Sequence, residues 1–222
     1  MMKLYIHLFT FSLDTLILFY TCNKRQERVW KYDKRNRTKG IEQKENILDA
    51  AFVVFGANGY HDAKMIDIAK KAGVSKGTLY LYFPSKESLY IAVNDRSFLY
   101  FIANAKRETD RCETFRQKLY SIARHHLYFF YNTRKYPDSF WQAPHQMPGM
   151  MERLHRFFDD YHSLVSDLMK EEGLEDTALH SKAFCSMLNG YRMDIVSNKN
   201  VSEKEIERYA TFTVDLFLEG CY

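Results

Sequence analysis

Glycine and proline are scarce in this chain, with nine glycines and four prolines in 222 residues. A turn-rich β architecture needs these residues at its many turns, so their scarcity favours long helices. The four cysteines (Cys22, Cys112, Cys185 and Cys221) form no C-x-x-C pair and show no paired spacing. This scatter argues against a zinc module and a disulfide framework, and it fits a reducing compartment.

The sequence also lacks the short motifs of common enzyme classes. It contains no nucleophile elbow, no phosphate-binding glycine loop and no paired carboxylates with a base. His155, Asp159 and His162 share one face of a predicted helix, but no fourth ligand accompanies them, so we expect an exposed polar face. We therefore predict no enzyme activity, no cofactor and no metal; a helical enzyme using these three residues is the alternative.

Positive charge is concentrated in one short segment. The whole sequence has a net charge of +4, whereas residues 24–39 carry eight basic and two acidic residues, a local net charge of +6. A basic arm of this kind attracts polyanions. A solvated linker rich in Lys and Arg has the same composition, so the arm alone does not decide between the two.

Residues 4–22, LYIHLFTFSLDTLILFYTC, are apolar enough to resemble a membrane segment. His7 and Asp14 interrupt it, and an Asp in mid-helix costs about 3 kcal/mol of insertion free energy. No small-residue cleavage site follows. Three interpretations are open. The segment could be a signal-anchor with KRQER on the cytoplasmic side, or an amphipathic helix packed on the protein. Alternatively, the translation start has been assigned too far upstream and the true product is shorter. We prefer an extension that is not a membrane anchor.

From Ile41 onward, apolar residues recur at helical spacing, and no strand alternation is visible. Gly59 is placed where a first helix would stop. Ser85 is a predicted N-cap, and Ser202 with Glu205 forms a predicted capping box. A later apolar stripe comprises Ala183, Phe184, Met187, Leu188, Tyr191 and Ile195. The chain is therefore predicted to be all-α.

The segment from Met65 to Tyr82 predicts two short helices joined by a tight turn. The small Ala69 allows the helices to cross closely, and Gly73 supplies the left-handed backbone that the turn needs. Val74 and Leu79 are expected to bury the corner. The outward residues of the second helix then have the chemistry to approach phosphates and base edges.

Three stretches around this turn, AAFVVFGANGY, IDIAKKAGVSKGTLYLYF and PSKESL, carry a family resemblance. Residues 41–90 resemble the DNA-binding domain of the TetR/AcrR family of bacterial transcriptional regulators. The resemblance implies a three-helix helix-turn-helix DNA-binding domain over residues 39–86 and a larger helical-bundle domain for ligand binding and dimerisation over residues 87–222. Residues 1–38 would be an N-terminal extension.

The resemblance also implies which residues meet double-stranded DNA. The implied DNA-binding residues are Lys64, Ser75, Lys76, Gly77, Thr78, Tyr80, Tyr82 and Lys86. Tyr82 is equally suited to closing the hydrophobic corner. Where the family usually has a Thr or Ser pair before the first helix of the motif, this chain has Ala63 and Lys64, and Ile66 replaces a residue that is often polar.

Lys76 and Thr78 are the only obvious side chains on the second helix that could read bases. The basic arm is therefore expected to contribute to DNA binding. Specificity should then depend partly on DNA shape. We expect Lys34, Arg35 and Arg37 to reach into a minor groove or along the backbone.

The resemblance further implies a homodimer formed through the last two long helices. It also implies a cytoplasmic regulator, usually a repressor, that binds a palindromic operator and is released from it by a small molecule. The expected dimer residues are Ala183, Met187, Tyr191, Phe212 and Leu216. Three of the four prolines fall between residues 129 and 158, so a cavity for a hydrophobic or aromatic effector is expected there. Its expected lining is Phe129, Phe140, Trp141, His145, Met147, Met150 and Phe184; an aromatic-rich loop packed on the bundle is the alternative.

Overall fold

The structure, a computed structural model, describes residues 39–134, 147–198 and 200–221. Every regular element within these ranges is an α-helix, which confirms the all-α prediction. In chain order the helices are α1 (Lys39–Asp62), α2 (Met65–Lys71), α3 (Lys76–Tyr82), α4 (Lys86–Thr109), α5 (Phe115–Thr133), α6 (Met150–Glu171), α7 (Thr177–Gly190), α8 (Arg192–Ser197) and α9 (Glu203–Cys221).

The described residues divide into two compact units. The first comprises residues 39–95 and 147–151, and the second comprises residues 96–134 and 152–221 without residue 199. The first unit therefore contains α1, α2, α3 and the first part of α4. The domain boundaries at residues 38 and 86 stay predictions.

In the first unit, α2 packs against both α1 and α3. The predicted apolar stripe of α1 is buried from Ile47 to Phe55, whereas Ile41 is 52% exposed and lies outside the core. Gly59 interrupts α1 as predicted, because its φ of +71° lies in the left-handed region. One further turn of helix follows it and ends at Asp62.

In the second unit, α5 packs against α7, α8 and α9, and α7 packs against α8 and α9. Helix α5 opens with a capping box between Thr114 and Gln117. The predicted box at the start of α9 is also present, since Glu205 accepts from the Ser202 backbone N–H at 2.8 Å. Aromatic side chains fill the core: the ring of Phe98 stacks on Phe157 with the centroids 4.8 Å apart.

The stripe predicted from Ala183 to Ile195 is corrected in two respects. The chain does not continue as one helix, because α7 ends at Gly190 and α8 begins at Arg192. Ala183 is exposed, and the buried face of α7 is instead formed by Phe184, Cys185 and Leu188.

Candidate nucleic-acid interface

The turn between α2 and α3 is fixed by a Schellman motif. Val74 donates its backbone N–H to the Ala69 carbonyl at 3.0 Å, and Gly73 donates to Lys70 at 3.2 Å. Gly73 has a φ of +68°, which an L side chain rarely adopts. The left-handed glycine predicted from the sequence is therefore present, and it reverses the chain so that α3 starts three residues later.

Ser75 caps the N-terminus of α3. Its Oγ accepts the backbone N–H of Thr78 at 3.0 Å and lies 2.8 Å from the Thr78 hydroxyl oxygen. At the other end, the extended Phe83 terminates the helix, and Pro84 follows, which favours this extended backbone. Both hydroxyls predicted to meet DNA thus also have a local structural role.

Leu79 is fully buried and anchors α3 to the core, as predicted. Lys76, Gly77 and Tyr80 are exposed, and the Lys76 ammonium lies 5.9 Å from the centroid of the Tyr80 ring. A cation and an aromatic ring side by side form a surface suited to a sugar–phosphate backbone.

Tyr82 is half-buried, and its hydroxyl donates to Gln43 Oε1 on α1 at 3.1 Å. This hydrogen bond joins the two helices, which agrees with the structural alternative for Tyr82. Its contact with DNA stays a prediction.

Lys86 ties the start of α4 to the end of α1. Its ammonium donates to the backbone carbonyls of His61 at 2.9 Å and Ala63 at 3.1 Å. The same ammonium lies 4.7 Å from the centroid of the Tyr60 ring. Lys86 therefore stabilises the carbonyl end of α1, a role that sequence reasoning did not foresee, and one N–H remains for a phosphate.

Lys64 occupies the N-cap of α2 and makes no capping hydrogen bond through its side chain. Asp62 does not replace the missing hydroxyl cap at that position. Lys64 is exposed, as is Ile66. From Lys64 to Lys86 the sequence contains five lysines and a single acidic residue, Asp67, so this segment favours a polyanion.

Sequence reasoning missed Leu81, which is the most exposed large apolar residue among the described residues, at 83%. Its position four residues after Gly77 places both on the side of α3 opposite Leu79. Helical spacing alone could have found it.

A family model described as bacterial regulatory proteins, tetR family, matches residues 47–93. The match begins in the buried part of α1 and contains all of α2 and α3. Residues 47–93 therefore form a TetR-family domain.

Sequence similarity to one relative extends beyond the helix-turn-helix domain. The fatty acid metabolism regulator protein of Bacillus subtilis is 38% identical over 94 residues, which are 42% of this chain and 46% of that relative. The chain thus covers less than half of that relative's length.

Two solved structures share the fold at low identity. The fatty acid degradation regulator FadR of Bacillus halodurans has a TM-score of 0.65 and 22% identity over 84% of this chain and 98% of its own. FadR of Bacillus subtilis, solved in complex with stearoyl-CoA, has a TM-score of 0.61 and 21% identity over 80% of this chain and 99% of its own. These likenesses show the fold alone.

The residues predicted for the dimer include exposed apolar side chains. On α9, Phe212 is 57% exposed and Leu216 is 48% exposed, although both are large and apolar. They are four residues apart and share a face. On α7, Ala183 is exposed and Met187 is half-buried. Tyr191 instead stacks on Tyr209 with the ring centroids 4.3 Å apart, so part of that ring is used within the chain.

The predicted effector residues have different degrees of burial. Met150 and Phe184 have no exposed surface, Met147 is almost fully buried and Phe129 is half-buried. Phe184 packs edge-on against Phe217 with the ring centroids 5.0 Å apart. Phe140, Trp141 and His145 lie outside the described residues, as do the apolar segment 4–22 and the arm up to residue 38.

A cleft of about 640 Å³ opens in the second unit, and none of the predicted effector residues is in its lining. Its lining includes Leu164, Leu168 and Cys112, three lysines (Lys106, Lys118 and Lys170) and three carboxylates (Asp110, Asp167 and Glu171). Two of the lysines are paired, Lys118 with Glu171 at 2.9 Å and Lys106 with Asp110 at 3.5 Å. The lining carries no net charge and therefore has no preference for an anion.

A buried histidine fixes the core of the second unit. His126 Nδ1 lies 3.2 Å from the Tyr161 hydroxyl, and its Nε2 lies 3.3 Å from Asn189 Oδ1. Because an amide oxygen accepts, Nε2 carries the proton and Nδ1 accepts from Tyr161. Burial lowers the pKa of His126 to about 3, outweighing the hydrogen bond to Asn189, which raises it. The ring is neutral at neutral pH.

Glu207 joins α9 to α5 through three donors. Its carboxylate accepts from Arg124 at 2.8 Å, from Tyr128 at 2.9 Å and from Tyr120. Burial raises the pKa of Glu207, but these hydrogen bonds and the Arg124 charge outweigh it and lower the pKa below its ordinary value. The network fixes the orientation of α9, whose outer face carries Phe212.

The predicted polar face of α6 has no metal-like geometry. His155 and Asp159 are exposed, and the half-buried His162 stacks against Phe158. In the part of the chain that the structure describes, no three His, Cys, Asp or Glu side chains are grouped to hold a metal ion. None of the helices in those ranges is long and apolar enough to cross a membrane.

Proposed function

We propose that this chain is a sequence-specific DNA-binding transcriptional regulator that binds a palindromic operator as a homodimer and is released by a hydrophobic effector. The observation that carries the proposal is the outward face of α3, where the ammonium of Lys76 lies beside the ring of Tyr80, in a segment that has five lysines and one aspartate. A short helix after a tight turn, anchored by one buried leucine, presents its exposed side chains to a major groove.

Double-stranded DNA is thus the proposed partner, and Lys64, Ser75, Lys76, Gly77, Thr78, Tyr80, Tyr82 and Lys86 are the proposed contacts. We rank Lys76 and Tyr80 first, because both are exposed. Ser75 and Thr78 are engaged in the cap of α3, and Lys86 is engaged with α1, so removal of these three would also weaken the fold.

A homodimer is proposed through α7 and α9. Exposed large apolar side chains on a soluble helix favour burial against a partner, and Phe212 and Leu216 provide such a face. A two-fold dimer uses the same patch on both subunits and would present two copies of α3 to a palindrome.

The effector is proposed to be a long-chain acyl compound, and an acyl-CoA is the first candidate. The sequence predicts a hydrophobic ligand, one relative is named a fatty acid metabolism regulator, and FadR of Bacillus subtilis was solved with stearoyl-CoA. Such a ligand acts by binding more tightly to the form that does not bind DNA. We propose repression as the outcome and a cytoplasmic location, where the chromosome is.

The test begins with selection of DNA from a random pool by the full chain. We expect a palindromic sequence to be enriched. Fluorescence anisotropy over a salt series should then give a steep fall in affinity with salt, and Lys76→Ala should reduce the slope of log K against log salt by about 0.9 for each phosphate that the lysine neutralises. Lys170→Ala, which alters an exposed lysine of the second unit, is the matched control and should leave the slope unchanged.

Failure to enrich any sequence would contradict the proposal. Once an operator is known, stearoyl-CoA should release the protein from it, while CoA alone and stearate alone serve as controls. Release by none of the three would remove the acyl-CoA assignment and leave the DNA-binding proposal intact.

A further inference from the structure

The centre of the outward face of α3 contains no polar side chain. Successive residues of an α-helix are rotated by about 100°, so Gly77 and Leu81 both lie about 160° from the buried Leu79. Gly77 is exposed and presents no side chain, and Leu81 is 83% exposed. Leu81 is therefore the side chain that projects furthest along this direction.

The fold of the first unit does not account for Leu81. The corner between α2 and α3 is closed by Ile68, Ala69 and Leu79, all of which are buried. Phe83 provides the next apolar contact along the chain and is also buried. An exposed leucine in this position adds nothing to the core, and its side chain is available for contact with a partner.

Charge identifies the class of that occupant. The exposed Lys76 precedes Leu81 by little more than one turn, and the segment from Lys64 to Lys86 has five lysines against one aspartate. A partner protein with an apolar patch would need acidic surroundings to match, whereas DNA provides phosphates next to an apolar group. The 5-methyl group of thymine is the apolar group exposed in a major groove.

We propose that Leu81 is a specificity-determining residue that contacts the 5-methyl group of a thymine in each operator half-site. The inference rests on the proposed DNA-binding function. Gly77 supports it sterically, because the absence of a side chain one turn earlier lets the helix approach the base edges. The position also adds a base contact to the small set available from Lys76 and Thr78.

The test removes one methyl group from the DNA and the side chain from the protein. Each thymine of the operator selected by the full chain is replaced by deoxyuridine, symmetrically in both half-sites, and affinity is measured by anisotropy. For one thymine position we expect about fourfold weaker binding per half-site, the change that corresponds to burial of one methyl group, and about fifteenfold for both. Leu81→Ala should bind the thymine operator about as weakly as the wild-type chain binds the deoxyuridine operator.

The decisive result is the coupling between the two changes. Leu81→Ala should no longer distinguish thymine from deoxyuridine at that position, while Leu99→Ala, the same truncation at an exposed leucine of the second unit, should keep the full discrimination. Unfolding of Leu81→Ala by heat should match the wild type, since this side chain lies mostly in solvent.

Three outcomes would overturn the inference. The wild-type chain could be insensitive to deoxyuridine at every position, or Leu81→Ala could retain the wild-type discrimination, in which case another residue reads the methyl group. Absence of any enriched sequence for the wild-type chain would refute the DNA-binding function itself and this inference with it. In the first two outcomes an operator is obtained and the DNA-binding proposal survives.

Discussion

The free energy of unfolding of this protein should fall as the pH is lowered below 6.5, because of His126. This range lies above the pH at which ordinary carboxylates titrate. The ring is buried between Tyr161 and Asn189 with both nitrogens hydrogen-bonded, and burial lowers its pKa from 6.5 to about 3. In the unfolded chain the same ring takes up a proton near pH 6.5. Below that pH the unfolded state binds one more proton than the native state.

The sign and the size follow from this proton difference. The free energy of unfolding rises with pH wherever the unfolded state binds more protons, with a slope of about 1.4 kcal/mol per pH unit for one proton. The stabilising contribution is complete above pH 6.5 and declines as the pH falls towards the native pKa. Between neutral pH and pH 4.5 the decline amounts to about 2.5 kcal/mol, a large part of the stability of an ordinary domain.

Urea unfolding followed by circular dichroism, repeated from pH 7.5 to 4.5, measures this slope. His126→Gln should have a slope lower by about one proton, whatever its absolute stability. His162→Gln should lower the slope by less, because this ring is only half-buried, although burial and then the charge of Lys182 lower its pKa. His155→Gln, at an exposed position on the same helix as His162, is the matched control.

The pH range separates this histidine from the acidic residues. The native pKa of Glu207 lies below its ordinary value of 4.5, so its contribution declines only as the pH falls below that value. An unchanged slope between pH 6.5 and 4.5 in His126→Gln would show that the ring titrates normally in the native protein. The assignment of a neutral, buried ring would then be wrong.

Substitutions at four positions test other parts of the structure. Gly73→Ala forces a side chain into φ +68° and should destabilise the first unit by about 1–2 kcal/mol in urea unfolding, even though its Cβ would meet no neighbour. Gly190→Ala is the control, because a Cβ there also meets nothing within 4 Å. It should be neutral or stabilising by up to about 1 kcal/mol. Equal effects of the two substitutions on the free energy of unfolding would refute the strain argument. Ser75→Ala removes the α3 cap and should cost about 1 kcal/mol, with Ser75→Asp restoring it, and an unchanged melting temperature in Ser75→Ala would show that the cap is not needed. Phe212→Glu should dissociate the proposed dimer into monomers in light scattering without changing its helicity, and a dimer that persists would exclude this face of α9 as the interface.

Much of the helix-turn-helix was accessible from the sequence because its constraints are local. Gly73 was predicted to be left-handed and has φ +68°, and Ser85 was predicted as a cap and accepts the Ser88 backbone N–H at 2.9 Å. Each of these features depends on residues within four positions. The buried position of Leu79 follows from helical spacing in the same way.

Features that depend on distant residues were not predicted. Lys86 was assigned to phosphate, yet its ammonium meets the carbonyls of residues more than 20 positions earlier. Ala183 was placed in one apolar stripe with Phe184 and Leu188, yet Ala183 is exposed and the other two are buried, since the orientation of α7 is decided by its packing on α5 and α9. The Glu207 network, with partners about 80 positions away, has no local sequence signal.

The sequence by itself determined the all-α class, the tight turn and the basic character of the residues around it. These properties follow from composition, from backbone preferences and from a 3.6-residue period, all of which are independent of the remaining chain. Only the tertiary structure decided which faces are left for partners. Leu81 and Phe212 are as apolar as Leu79 and Phe217, and only the packing of one helix on another buries the second pair and exposes the first.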